Sequence, residues 1–275
     1  MKFKFILSLA LAGGTAFASF AEGYKDGVEY YLAGQEKNAE TVLNQTINDA
    51  QTDKATAYYY LGCIALHKGD NAQAEKYFNL GMQANPENAY NLVGKGALAL
   101  RTSGVDAAKD FFKQAEKLAK KDTKVRVDIA RAYYLADSVK YKENLQKALK
   151  DAFKKNKKEP AYFILLGDID ADHKMYGESA GNYENAILYD SENPVGYVKY
   201  ANTYFHIKPE VAIEKLKEIV AKNPNSALAQ RELAEKYFEN DQWTMAAQEY
   251  KKVIDNPNHF PADEERYVVL LYFGK

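Results

Sequence analysis

The sequence predicts an all-α solenoid of stacked helix–turn–helix units, and two observations carry that expectation. The first is the stretch 55–88, where two short amphipathic runs flank the turn signal Lys68-Gly69-Asp70-Asn71 and Pro86 closes the unit. The second is the return of the same small, aromatic and apolar residues at a period of about 34 residues along most of the chain. A unit of this size cannot bury its apolar face alone, so neighbours must stack to make one continuous core.

The spacing within 55–88 is specific. Tyr58, Leu61 and Gly62 take places 4, 7 and 8, Ala74, Phe78 and Gly81 take places 20, 24 and 27, and Pro86 takes place 32. Gly62, Ala74 and Gly81 sit where helix backbones must approach closely, and a large side chain there would force the helices apart. These residues at these offsets resemble the tetratricopeptide repeat. The resemblance implies a right-handed α-solenoid with a concave groove lined by the first helix of each unit.

In chain order, residues 1–21 stand outside the repeats. Lys2 and Lys4 precede an apolar run from Phe5 to Phe17, and Ala16-Phe17-Ala18 and Ser19-Phe20-Ala21 are small-x-small cleavage sites, the pattern of a secretory signal peptide. The run is shorter than the roughly 20 residues of a membrane span, and no cysteine follows it to carry a lipid. The protein is therefore expected to be exported and to be periplasmic or secreted.

Seven repeat-like units follow, at about 22–54, 55–88, 89–122, 123–159, 160–193, 194–226 and 227–260. The first carries Gly27, Tyr30, Ala39 and Leu43, and the third carries Leu92, Gly96, Ala108, Phe112 and Ala115. The fourth keeps Ile129-Ala130 and Tyr133, is about three residues longer, and has no proline at its end. The fifth carries Phe163, Leu166-Gly167, Tyr183 and Ala186, with Asp170 where an aromatic or alanine is usual. The sixth carries Tyr197, Ala201, Tyr204, Ala212, Leu216 and Pro224; the seventh carries Ala234, Tyr237, Ala246, Tyr250 and Val253. Residues 261–275 read as the first helix of an incomplete further repeat. Their apolar run Val268 to Phe273 is expected to be covered by chain continuing past Lys275 or by docking on something else.

Composition narrows the function classes. Cys63 is the only cysteine, so no intrachain disulfide forms and stability must come from helix packing. The net charge of −1 argues against nucleic-acid binding. Charge is nevertheless segregated, with residues 117–158 at +9 and residues 159–275 at −8. Such a step steers an acidic partner toward the middle of the array; the plainer reading is a solvated, lysine-rich convex face.

The resemblance implies ligand-facing residues at places 2, 5, 9, 12 and 13 of each unit. Carried over, these include Tyr24 and Tyr31 in the first unit, Tyr59 and His67 in the second, and Arg101 in the third. The fourth and fifth offer Arg131, Tyr134, Asp168 and Asp172. The sixth and seventh offer Asn202, Phe205, His206, Arg231 and Phe238. An apolar and aromatic strip with scattered charges suits an extended peptide or a partner helix. The lysine–asparagine clamp by which some members grip a peptide carboxylate is absent, since place 5 holds Tyr24, Tyr59, Val93, Val127, Ile164, Val198 and Arg231.

Catalytic and metal patterns are weak. Asp168, Asp170 and Asp172 briefly resemble a calcium loop, but the sixth and twelfth places hold His173 and Ser179 instead of glycine and glutamate. Cys63 and His67 share a helix face, yet nothing lowers the thiol pKa or supplies an oxyanion site. No cofactor, metal or catalytic residue is expected. The expected function is a non-catalytic scaffold that binds a peptide or helix of a cell-envelope protein in the concave groove, in envelope assembly or secretion. The alternative is capture of a glycan or small molecule by stacked tyrosines. The sequence does not indicate an oligomeric state.

Overall fold

The computed structural model describes residues 23–256 and 259–273. The expected signal segment lies outside the described residues. Those residues form fifteen α-helices and no strand. The first three pairs are α1 (Gly23–Leu32) with α2 (Glu36–Thr46), α3 (Lys54–His67) with α4 (Asn71–Ala84), and α5 (Ala89–Thr102) with α6 (Val105–Ala119). Next come α7 (Lys124–Asp137) with α8 (Lys142–Lys155) and α9 (Pro160–Asp172) with α10 (Tyr176–Tyr189). The series ends with α11 (Pro194–Tyr204) and α12 (Pro209–Lys222), α13 (Ala227–Glu239) and α14 (Trp243–Ile254), and α15 (Pro261–Phe273). Each pair is an antiparallel hairpin. Odd-numbered helices also pack on one another, α3 on α5, α5 on α7 and α7 on α9. The molecule is an all-α helical repeat solenoid.

Local chemistry sets the helix ends. Asp53, Asp70, Asn88, Asn193 and Ser226 each accept a backbone N–H of the helix they precede. Pro160, Pro194 and Pro209 start α9, α11 and α12, where a missing N–H costs no helix bond. The turns within the first three pairs reverse direction on Gly34, Gly69 and Gly104, at φ +86°, +78° and +91°.

Packing within a pair turns on an aromatic or leucine of the second helix pressed against a glycine of the first. A Cβ on Gly96 would lie 2.3 Å from Phe112 Cε1, one on Gly167 would lie 2.4 Å from Tyr183 Cε1, and one on Gly27 would lie 2.7 Å from Leu43 Cγ. Phe78 is gripped from two sides, by Gly62 of its own pair and Gly94 of the next. These contacts join the helix pairs into one hydrophobic core running the length of the array.

Two features could not be read from the period. The array winds until its first pair meets its last ones, with α1 packed against α11 and α13. Ser226 Oγ donates to Glu29 Oε2 at 3.0 Å, the Gln35 amide donates to Glu232, and the rings of Tyr30 and Phe260 meet edge-on at 5.6 Å. Burial at this seam pushes Glu29 up to about 7 and Asp26 up to about 6. At the other end, α15 packs on α14 and buries Leu270, while Val268, Val269 and Leu271 stay nearly half exposed and Tyr272 is 76% exposed.

Candidate functional site

Closure converts the concave face from an open groove into a short, walled space. Its wall is built on α7, where Lys124, Asp128 and Arg131 fall on successive turns of one face. Asp128 is 3% exposed. Arg131 bridges inward, with its Nε 3.6 Å from Asp128 Oδ1 and its NH1 donating to Asp168 Oδ2 at 3.3 Å. Asp168, on α9, also takes Lys199 Nζ at 2.7 Å and the Tyr183 hydroxyl at 2.9 Å. Lys124 Nζ donates to the Tyr60 hydroxyl at 3.1 Å. Burial holds the Asp128 carboxyl above its ordinary range, more than Lys124 and Arg131 pull it down. For Arg131 burial works the other way, but the carboxylates of Asp168 and Asp128 outweigh it and keep the guanidinium charged.

Two cavities flank this network. One, of about 30 Å³, lies among Tyr31, Tyr59, Cys63, Val93, Asp128 and Arg131. Asp128 Oδ2 and Arg131 Nε have no hydrogen-bond partner among the described residues, and the space beside them is of water size. The second, of about 290 Å³, is bounded by the α1–α2 turn at Gly34 and Glu36, by His67, and by Arg131, Tyr134, Leu165, Asp168, Asp172 and Lys199. Its rim is polar: Tyr134 donates to Asp172 Oδ2 at 2.5 Å, and His67 Nδ1 meets Glu36 Oε1. Its floor is apolar, with Leu165 and Tyr31 buried.

The residues expected to line a groove therefore separate into groups. Tyr31, His67, Arg131, Tyr134, Asp168 and Asp172 meet around the larger cavity. Tyr31 and Tyr59 are buried, with their rings in tilted and edge-on contact with Tyr60 at 5.1 and 4.9 Å, so they form support more than open lining. Arg101 lines the smaller cavity and donates to the Leu66 carbonyl. The rest lie away from the cavities. Tyr24 is half-buried near the start of α1. Asn202 bonds Glu232 at the seam. Phe205 is buried under Lys236, whose Nζ lies 4.8 Å from the ring centre, and His206 is exposed beside it. Arg231 donates to Asp263 at 2.8 Å, and Phe238 is covered by the Arg266 guanidinium at 4.1 Å.

Sequence reading missed Asp128 and Lys199, which both occupy place 6 of their units, outside the ligand-facing places. The available signal was a recurring charge at that place, with Lys25, Asp128, Lys199 and Glu232 in four of the seven units. Burial pushes the Cys63 thiol up to about 12, leaving it protonated and unreactive at neutral pH. Among the described residues no group of three or more His, Cys, Asp and Glu is placed to hold a metal ion, and no helix is long and apolar enough to cross a membrane.

Comparison with known proteins agrees with this geometry. A family model described as YpiA-like tetratricopeptide repeats matches residues 208–257. No curated protein matches the chain. Among solved structures, yeast Tom70 superposes with a TM-score of 0.56 at 15% identity, over 90% of this chain and 53% of that one. The Cut9–Hcn1 hetero-tetramer of the APC/C matches at 0.47 and 14%, over 90% and 47%. A tetratricopeptide repeat protein of Parabacteroides merdae matches at 0.46 and 13%, over 90% and 99%. The chain spans about half the length of the first two. With its paired helices and glycine-gripped aromatics the chain has the fold of a helical repeat solenoid like that of Tom70, and its residues 208–257 match a tetratricopeptide-repeat family model.

Proposed function

We propose that this protein is a non-catalytic scaffold whose walled pocket receives a loop or chain end of a partner protein. Solenoids of this class generally mediate protein–protein interaction through their concave surface. The observation that carries the finer reading is the 290 Å³ cavity under the α1–α2 turn, apolar at its floor and polar at its rim. Its volume has room for a few side chains and not for a length of helix, so an extended tip is the better occupant than the whole helix the sequence suggested. A setting in cell-envelope assembly or secretion follows from the expected signal peptide. The glycan alternative is less well supported: stacking on sugars needs open ring faces, whereas Tyr31, Tyr59 and Tyr60 are buried against one another in tilted and edge-on contacts.

The test is capture from an envelope extract by residues 22–275, with Tyr134→Ala/Asp172→Ala as the comparison. Both side chains sit at the rim, so the variant is expected to keep full helicity. A protein held by the parent and lost by the variant supports the pocket. The same protein held equally by both moves the site elsewhere, and retention of no protein by the parent sinks the scaffold reading.

A further inference from the structure

The edge of the solenoid where each helix pair hands over to the next carries an unusual surface. At the end of α6, Lys117, Lys120 and Lys121 are exposed beside Leu118, which is 38% exposed. At the end of α8, Lys154, Lys155, Lys157 and Lys158 are exposed beside Phe153, which is 39% exposed. At the end of α10, Leu188 is 70% exposed and Tyr189 37%.

These three helix ends form one continuous patch. Asn156 Nδ2 donates to Thr123 Oγ1 at 3.3 Å, and the Thr123 hydroxyl donates to Glu159, joining the first junction to the second. A ladder of rings joins the second to the third: Phe153 to Tyr162 at 5.3 Å, Tyr162 to Phe163 at 5.4 Å, and Phe163 to Tyr189 at 5.3 Å.

The charge on this patch is not balanced locally. At the first two junctions, where the seven lysines stand, the nearby carboxylates are engaged elsewhere: Glu116 with Arg126, Asp122 with Tyr90, Asp151 with Lys147, and Glu159 with Thr123 and Asn156; at the third, Asp190 accepts from Asn193 and Glu192 is exposed. None of the seven lysine ammoniums has an ion pair or hydrogen bond among the described residues. Complementing helix dipoles does not explain them, because every second helix has the same dipole. The last turns of α2 and α4 hold no basic residue, and Lys222 and Lys252 at the ends of α12 and α14 are paired with Glu218 and Glu249, each at 2.8 Å.

We propose that this edge docks the protein on a membrane surface bearing anionic headgroups. Its chemistry is that of a peripheral membrane contact: free lysines for the headgroup phosphates, with apolar side chains projecting between them to enter the interface. A row of protruding helix ends fits a flat surface. A polypeptide partner would be anchored by a recess that takes its central side chains, and these residues stand on tips instead. Docking by this edge leaves the pocket on the concave face free, so the two readings fail independently.

Residues 22–275 are tested for co-sedimentation with vesicles of phosphatidylcholine alone and of phosphatidylcholine mixed with phosphatidylglycerol. Binding is expected only to the mixed vesicles, to weaken with added salt, and to fall on the order of a hundredfold in Lys154→Glu/Lys155→Glu/Lys157→Glu. Leu188→Ser is expected to weaken it without changing the salt dependence. Lys37→Glu/Lys76→Glu, on exposed faces of α2 and α4, is expected to leave it unchanged. Failure to bind mixed vesicles, or equal binding by the triple variant, overturns the proposal. So does capture of soluble polyglutamate without vesicle binding, which would mark an acidic polypeptide as the partner.

Discussion

Phe78→Ala is expected to lower stability by roughly 3–5 kcal/mol, because it empties a tight contact between the second and third helix pairs. The ring is fully buried. A Cβ on Gly94 would lie 2.2 Å from its Cε1 atom, and a Cβ on Gly62 would lie 2.3 Å from the same atom. The ring edge is therefore held between two helix backbones and has nowhere to retreat. Gly94→Ala is accordingly expected to destabilise by overpacking, by about 1–3 kcal/mol. The two changes should not add, since the space vacated by the ring accepts the new methyl group. Urea unfolding followed by circular dichroism measures all three variants. A double variant as unstable as the sum of the singles would show that the ring and Gly94 are not in the contact described.

Asp168→Ala is expected to cost about 3–5 kcal/mol for a different reason, the loss of a buried counter-charge. Its carboxylate answers both Arg131 and Lys199, whose side chains are 12% and 14% exposed, and accepts from the Tyr183 hydroxyl as well. Removing it leaves two largely buried cations at the cavity wall without their shared carboxylate. Replacing all three charges together, Asp168→Ala/Arg131→Met/Lys199→Met, is expected to restore most of the lost stability, because buried ion clusters can be exchanged for apolar groups with little net change. Loss of stability in the triple variant greater than in Asp168→Ala alone would contradict a purely counter-charge role. The same substitutions remodel the wall of the larger cavity, so the triple variant separates folding from partner capture.

The parts legible in the sequence were those set by contacts inside one helix pair or between neighbours. Gly62 and Phe78 lie sixteen residues apart, so their places repeat with the unit and show in the spacing. Closure was not legible in that way. It rests on small rotations accumulated over seven units, and its contacts join residues such as Gln35 and Glu232, 197 positions apart. The groove strip was read on the assumption of an open superhelix. Packing against neighbouring helices instead buries Tyr31, Tyr59 and Phe205 while leaving Tyr134 and Asp172 at a rim. The charged network was missed because Asp128 and Lys199 occupy place 6, outside the ligand-facing places that the resemblance supplies. Only their meeting with Arg131 and Asp168 across three odd-numbered helices, α7, α9 and α11, makes burial tolerable.

The central claim is that the array closes on itself and so presents a walled pocket. The direct test is the distance between the first and seventh helix pairs in solution, measured by electron–electron double resonance. Nitroxides are placed at Lys37→Cys and Glu239→Cys in a Cys63→Ser background, since both sites are exposed and flank the seam without entering it. The account predicts one short, narrow distance in the free protein, broadened when Glu232→Lys sets a cation against the Gln35 amide. A broad distribution at long distances in the parent would mean an open superhelix with its groove free along its length, and would contradict the account.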